Sequence, residues 1–304
     1  MSNKQYDYDQ GLQQRLEEYV KEVGSQSEAA RQIGVSVAVV STYRNSKYTG
    51  DVAGFEARLR QHLETKAAAD ELASTTPDYV PTSISEGVYA TIRMCHLKGG
   101  LANECGDAGI GKTKAALKYV EDHPNQAILI TANPCTSSVT AFFKMLCRRL
   151  KISAARKDDM WLEVDEHLRG GRKVLIVDEA QHLPIKTVEA IRALTDSNPE
   201  LGCCMIGNPE TINVGTRRPA FAQIRNRTKL INIRHTGEVS GGDIALLFPA
   251  LAGRDKELEL LLAIARSEQG VRGAVNLYSN AEDNEDTSYQ GLLAMAKTMK
   301  IVAY

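Results

Sequence analysis

Gly106-Asp107-Ala108-Gly109-Ile110-Gly111-Lys112-Thr113 fits the phosphate-loop pattern GxxxxGK[ST] at every fixed position and adds a further glycine at Gly109. Such a loop turns its backbone N–H groups around phosphate oxygens. Lys112 then reaches the β and γ phosphates of a nucleotide, and the Thr113 hydroxyl falls on Mg²⁺. The flanks supply the context that separates this motif from a chance glycine-rich turn. Gly100-Leu101-Ala102-Asn103-Glu104-Cys105 reads as an approach strand, and Lys114-Ala115-Ala116-Leu117-Lys118-Tyr119-Val120 consists largely of good helix formers. The phosphates would lie at a helix N-terminus, where orphan N–H donors and the macrodipole both favour an anion. The expected nucleotide contacts are therefore Gly106, Gly109, Ile110, Gly111, Lys112, Thr113 and Lys114. The loop alone does not say what work the nucleotide drives, because this fold serves kinases, pumps, switches and remodellers alike.

Val174-Leu175-Ile176-Val177-Asp178-Glu179 is a continuous apolar run ending in two acids, as a buried central strand delivers carboxylates to its C-terminal end. A DE pair after a strand is common, but one about 65 residues beyond a phosphate loop is specific. Asp178 is read as holding Mg²⁺ and Glu179 as orienting the attacking water, which favours hydrolysis over transfer to a substrate. The following strand, Gly202 to Asn208, ends in a polar Asn208. It is read as a sensor of the γ phosphate or the nucleophilic water; the alternative is a turn asparagine before Pro209.

Strand and helix signals alternate over this region: Ala127 to Thr131, a helix from Val139 to Leu150, the acid-bearing strand, a helix from Ile185 to Ser197, then Leu201 to Ile206. That alternation predicts an α/β fold with a parallel sheet covered on both faces. After Gly237 the pattern is helical only. Ahead of the core, Leu12, Leu16, Tyr19, Val20 and Val23 keep helical spacing up to Gly24. Ser25 and Ser36 are candidate caps for a second helix from Glu28 and a third from Val37 to Asn45. This is the outline of a helix-turn-helix, with Arg44 and Lys47 placed for DNA; a protein-docking helical module has the same spacing. Residues 65–83 lose periodicity and gain Pro77, Pro81 and a Ser/Thr cluster, as a linker does. The expected division is 1–64 helix-turn-helix, 65–83 linker, 84–237 core and 238–304 helical C-terminal domain.

With 304 residues, 43% of them hydrophobic, the chain has room for such a set of domains. It has no run of eighteen uncharged apolar residues and no signal-peptide pattern in MSNKQYDYDQ, so a soluble, cytoplasmic protein without membrane contact is expected. Six cysteines without CxxC spacing predict reduced, mostly buried thiols. A net charge of −1 excludes a uniformly basic surface, so any nucleic-acid contact needs a local patch. Two stretches qualify. From Thr211 to Gly237 there is no acid, yet Arg217, Arg218, Arg225, Arg227, Lys229 and Arg234 are present. This suits an arginine finger for a neighbouring subunit's nucleotide, Arg227 first and Arg225 second, or a nucleic-acid face. Lys144, Arg148, Arg149 and Lys151 form the other, as a phosphate-tracking face or as ordinary helix-end charge.

Together these residues resemble the AAA+ ATPases, and within them the phage Mu transposition protein B group of transposon target-capture ATPases. The resemblance rests on the helix-turn-helix with Tyr48-Thr49-Gly50-Asp51, the phosphate loop, Val177-Asp178-Glu179-Ala180-Gln181-His182-Leu183, Met205-Ile206-Gly207-Asn208 and the basic segment from Phe221. It implies ATP with Mg²⁺ as ligands, Arg272 as the sensor-2 arginine, and non-sequence-specific binding of double-stranded DNA in a helical homo-oligomeric filament. It also implies recruitment of a transposase, with ATP hydrolysis releasing the DNA. From residue 253 onward six Lys/Arg face eight Asp/Glu, which places DNA contact in the ATPase core. A helicase loader and a nucleotide-switched transcription regulator share parts of this pattern; a phosphotransferase does not fit Glu179.

Overall fold

The computed structural model describes residues 8–74, 79–136, 138–153, 156, 159–209 and 228–301, and the chain falls into two compact units that divide between residues 77 and 78. The first unit holds helices α1 (Gln10–Glu22), α2 (Gln26–Ile33), α3 (Val37–Arg44) and α4 (Val52–Ser74). Asp9, Ser25 and Ser36 accept the backbone N–H of Leu12, Glu28 and Val39, which satisfies a donor at each helix start. Gly34, at φ 77°, ends α2 in the left-handed conformation that glycine adopts without a Cβ clash. Leu12, Leu16, Tyr19, Ala30, Ile33, Val40, Tyr43, Phe55 and Leu59 close a common core. Residues 65–74, expected within a linker, continue α4 instead. Their alanines and lysine favour helix, and no glycine or proline intervenes before Pro77.

In the second unit, α5 (Ser83–Lys98) precedes β1 (Gly100–Gly106), α6 (Lys112–Asp122), β2 (Ala127–Thr131), α7 (Val139–Leu150), α8 (Asp159–Leu168), β3 (Val174–Asp178), α9 (Ile185–Ser197), β4 (Gly202–Gly207) and β5 (Thr228–Arg234). The strands form one sheet in the order β2-β3-β4-β1-β5, and every pairing is parallel. Alternation along the strands divides the core in two. Ala102, Val174, Ile176, Cys204 and Ile206 pack toward α5 and α6, whereas Leu101, Leu175, Val177, Cys203 and Met205 pack toward α7, α8 and α9. Each fully buried aliphatic side chain contributes roughly 1.5–3 kcal/mol, so both faces of this sheet are heavily invested. Cys95, Cys105, Cys147, Cys203 and Cys204 are buried thiols, while Cys135 is exposed.

β5 was not among the expected strands; its residues fell within the acid-free segment. Thr228 to Arg234 pairs in parallel with β1 at the sheet edge and places Arg234 against the buried carboxylate of Glu104. Past β5, α10 (Gly241–Leu247), α11 (Asp255–Arg266), α12 (Gly270–Asp283) and α13 (Tyr289–Thr298) are all helical, and their apolar faces join the α5/α6 side of the core. Asp243 in α10 accepts the backbone N–H of Ser83 at 2.6 Å and its hydroxyl at 2.8 Å, fastening the start of α5 to these helices.

Candidate nucleotide site

The site forms at the C-terminal edge of the sheet. β4 lies between β1 and β3, so Asn208, one residue past β4, falls between the phosphate loop leaving β1 and the acids leaving β3. Gly109 and Gly111 adopt φ 74° and 96°, which a side-chain-bearing residue reaches only with strain. Among the described residues, nothing lies within 4 Å of a Cβ built at Gly111, directly before α6. Ile110 is buried and anchors the loop in the core. Lys112 donates from Nζ to the Gly106 carbonyl at 2.8 Å and the Asp107 carbonyl at 2.6 Å. Burial holds its ammonium below the ordinary lysine range, a shift opposed by the charges of Asp178 and Glu179. Lys114 is exposed on the first turn of α6.

Thr113 Oγ1 donates to Asp178 Oδ2 at 2.8 Å, joining the loop to the end of β3. A hydroxyl beside a carboxylate is a hard-oxygen pair of the kind Mg²⁺ takes while keeping several waters, so these residues fit that ion. Burial pushes the Asp178 carboxyl above its usual range, although the Thr113 hydroxyl and the Glu179 backbone N–H favour its charged form. A cation placed there would offset that cost. Glu179 sits at φ 54°, ψ 37° and opens a short turn over Ala180–His182. Gln181 donates from Nε2 to the Glu179 carboxylate and accepts the Asn208 backbone N–H on Oε1 at 3.2 Å.

The loop is also held from outside. Asp107 receives the Thr236 backbone N–H at 2.8 Å and donates its own N–H to the Arg234 carbonyl at 3.1 Å. Arg272 is exposed in the first turn of α12, and its backbone N–H donates to the Gly109 carbonyl at 3.0 Å. The residue expected as sensor 2 thus lies against the phosphate loop through its main chain.

The basic residues divide. Arg225 and Arg227, the finger candidates, lie outside the described residues, as do Arg217 and Arg218. Arg234 and Lys229 belong to the same acid-free run but have internal partners: Arg234 Nε donates to Glu104 at 2.9 Å, and Lys229 Nζ caps the carbonyls of Lys98 and Gly99. At these two positions the cations of the run are partnered within the fold, although Lys229 is exposed. The acid that neutralises Arg234 is on β1, about 130 residues away in sequence. Lys144, Arg148, Arg149 and Lys151 are exposed along and just beyond α7. Arg148 stands roughly 13.5 Å along the axis from Val139 at the helix start, by the rise of 1.5 Å per residue. In the helical unit, Arg44 makes a two-nitrogen pair with Glu17, Thr42 bonds back to the Ala38 carbonyl and Asn45 to that of Ser41. Arg44, one of the two residues expected to face DNA, is thus paired within its own unit, while Lys47 is exposed.

A five-stranded parallel sheet with a phosphate loop on β1 and an acid pair on β3 defines an AAA+ P-loop protein, and residues 100–214 match the family model described as an AAA domain. Among solved structures, the chain resembles Cdc6p from Pyrobaculum aerophilum (TM-score 0.54, 18% identity, covering 73% of this chain and 69% of that one). It also resembles the ORC1 protein of Aeropyrum pernix, solved in complex with DNA (TM-score 0.52, 13% identity, 73% and 66%). Curated relatives are closer in sequence. The Mu-like prophage FluMu DNA transposition protein B of Haemophilus influenzae is 29% identical over 84% of this chain and 90% of its own length. The ATP-dependent target DNA activator B of Escherichia phage Mu is 30% identical over 80% and 78%. The chain belongs to this Mu-type transposition protein B family.

Proposed function

We propose that the protein is an ATP hydrolase of DNA transposition whose nucleotide state governs its hold on target DNA. The observation that carries the reading is the contact of Thr113 with Asp178, beside Glu179, at the mouth of the phosphate loop. In this reading the loop N–H groups, Lys112 and the start of α6 bind the triphosphate, with Arg272 reaching it from α12. Thr113 and Asp178 would hold Mg²⁺, which would supply charge neutralisation to the bound triphosphate. Glu179 accepts a proton from the attacking water and Asn208 orients it.

The finer reading is that copies assemble as a helical filament on double-stranded DNA in the cytoplasm of a bacterial host and there recruit and stimulate a transposase. Arg227, or Arg225, would complete the nucleotide site of the adjoining copy, so that turnover depends on assembly. Lys144, Arg148, Arg149 and Lys151, with Arg44 and Lys47 of the helical unit, are the proposed DNA contacts; repetition along a filament multiplies weak phosphate contacts into avidity. Electron microscopy with double-stranded DNA and ATP or a slowly hydrolysed analogue tests this. Nucleotide-dependent filaments are expected, and Glu179→Gln should keep them while turnover is lost. Absence of filaments at micromolar protein and low salt would refute the assembly reading.

A further inference from the structure

Resting on the assignment of Glu179 as the proton acceptor, one neighbouring side chain has a role that the motif pattern leaves open. Gln181 lies two residues beyond Glu179 and is half-buried. Its amide NH₂ meets the Glu179 carboxylate while its amide oxygen receives the Asn208 N–H. The partners fix the orientation of the amide. A carboxylate only accepts and a backbone N–H only donates, so the reverse placement would set oxygen against oxygen and N–H against N–H. The turn carrying Gln181 is itself anchored: Ala180 and Leu183 are buried, and the N–H groups of His182 and Leu183 bond back to Glu179 and Ala180. The side chain therefore spans from the end of β3 to the end of β4 on a fixed base.

We propose that Gln181 is a positioning residue that aims the Glu179 carboxylate and ties it to the Asn208 end of β4, so that the proton acceptor and the γ-phosphate sensor shift together. One carboxylate oxygen is occupied by the Gln181 NH₂, which leaves the other to face the water. A displacement at Asn208 is carried by the rigid amide plane to Glu179. Among the described residues, Gln181 hydrogen-bonds Glu179 and Asn208 and not the phosphate loop or Lys112, so its action separates from nucleotide affinity.

The experiment compares Gln181→Met and Gln181→Glu with the wild type and with Glu179→Gln, measuring kcat for ATP and the dissociation constant of a fluorescent ATP analogue in the full-length protein. Methionine matches the length of glutamine without its amide; glutamate keeps the oxygen facing Asn208 but opposes Glu179 with a second carboxylate. In Gln181→Met, kcat should fall by about tenfold to a hundredfold, the range that misaiming a reacting group costs, with analogue affinity within about twofold. Gln181→Glu should fall further. Space-filling alone would be replaced by methionine without loss, so wild-type kcat in Gln181→Met, or Gln181→Glu performing as well as wild type, overturns the assignment. If Glu179→Gln is inactive while both Gln181 variants turn over normally, only the Gln181 role falls. Retained turnover in Glu179→Gln would refute the hydrolytic reading of the site itself.

Discussion

Arg234→Met tests whether the acid-free segment is spent inside the fold. Glu104 is 0% exposed within β1, and among the described residues its carboxylate has two partners: Arg234 Nε at 2.9 Å and Asn232 Nδ2 at 2.9 Å. Removing the guanidinium strands a buried charge on a single amide. Breaking a buried pair in this way costs about 3–5 kcal/mol; since Arg234 keeps a quarter of its side chain in solvent, the lower end applies, about 3 kcal/mol. For a unit of this size that is a drop in melting temperature of roughly 6–12 °C. The main-chain bond from Asp107 N–H to the Arg234 carbonyl is untouched by the substitution, so the loss is electrostatic. Adding Glu104→Gln to Arg234→Met removes the stranded charge and should recover about 2 kcal/mol, a coupling that a double-mutant cycle reads directly. Scanning calorimetry with and without MgATP would follow the transition that the nucleotide shifts. A melting change under 2 °C for Arg234→Met, or simple additivity in the double variant, would refute the argument. The same variant should leave the salt dependence of DNA binding unaltered, because a cation spent on Glu104 releases no counterions from phosphate.

Asp178→Asn should leave the nucleotide-free protein as stable as wild type or more so, because burial already disfavours the charged carboxyl; the added stability from MgATP should vanish, read as the difference in melting temperature with and without it. Lys112 is held below its ordinary range, so its contribution to folding stability should rise as pH climbs from that depressed value toward the free-lysine value, and Lys112→Met should flatten that alkaline segment of the stability–pH curve. Binding of a triphosphate over the same pH span should take up protons through Lys112, visible as buffer-dependent heats in titration calorimetry. Gly270→Ala places a Cβ 2.7 Å from the Ala108 carbonyl at φ 64°, wedging α12 off the phosphate loop; nucleotide affinity should drop by about tenfold or more, since 1–3 kcal/mol of backbone strain is involved, and unchanged affinity would show that α12 does not support the loop.

What was legible in the sequence was local. The phosphate loop, the Val174–Asp178 strand and the caps at Ser25 and Ser36 are each set by residues within a few positions of one another, and spacing reveals them. The rest depends on partners far along the chain. Arg234 looked like a free cation because its acid lies on β1. The strand that carries it is an edge strand whose buried and exposed positions alternate weakly, so a basic composition masked it. Gln181 was quoted as part of a motif, but its role needs β4 beside β3, a neighbour relation that order along the chain does not supply.

Two adjacent acids at a strand end pose a geometric problem that the sequence does not display. Successive side chains on a strand point to opposite faces, so in extended backbone Asp178 and Glu179 would diverge, one toward Thr113 and the other away from it. The left-handed backbone at Glu179 breaks the alternation at the residue where it must break. A non-glycine residue there costs of order 1 kcal/mol or more, and it persists only when its surroundings over-determine it. Those surroundings are identifiable: Glu179 N–H on Asp178 Oδ1 at 3.0 Å, His182 N–H on the Glu179 carbonyl at 3.0 Å, and buried Ala180 and Leu183 seating the turn. Glycine at position 179 would relieve the strain but remove the carboxylate; an extended glutamate would keep the carboxylate but lose its aim. The turn from Ala180 to Leu183 is therefore as much a part of the proposed hydrolytic site as the acids it follows, and a substitution that loosens it, such as Leu183→Ala, should lower kcat while leaving nucleotide binding at the loop intact.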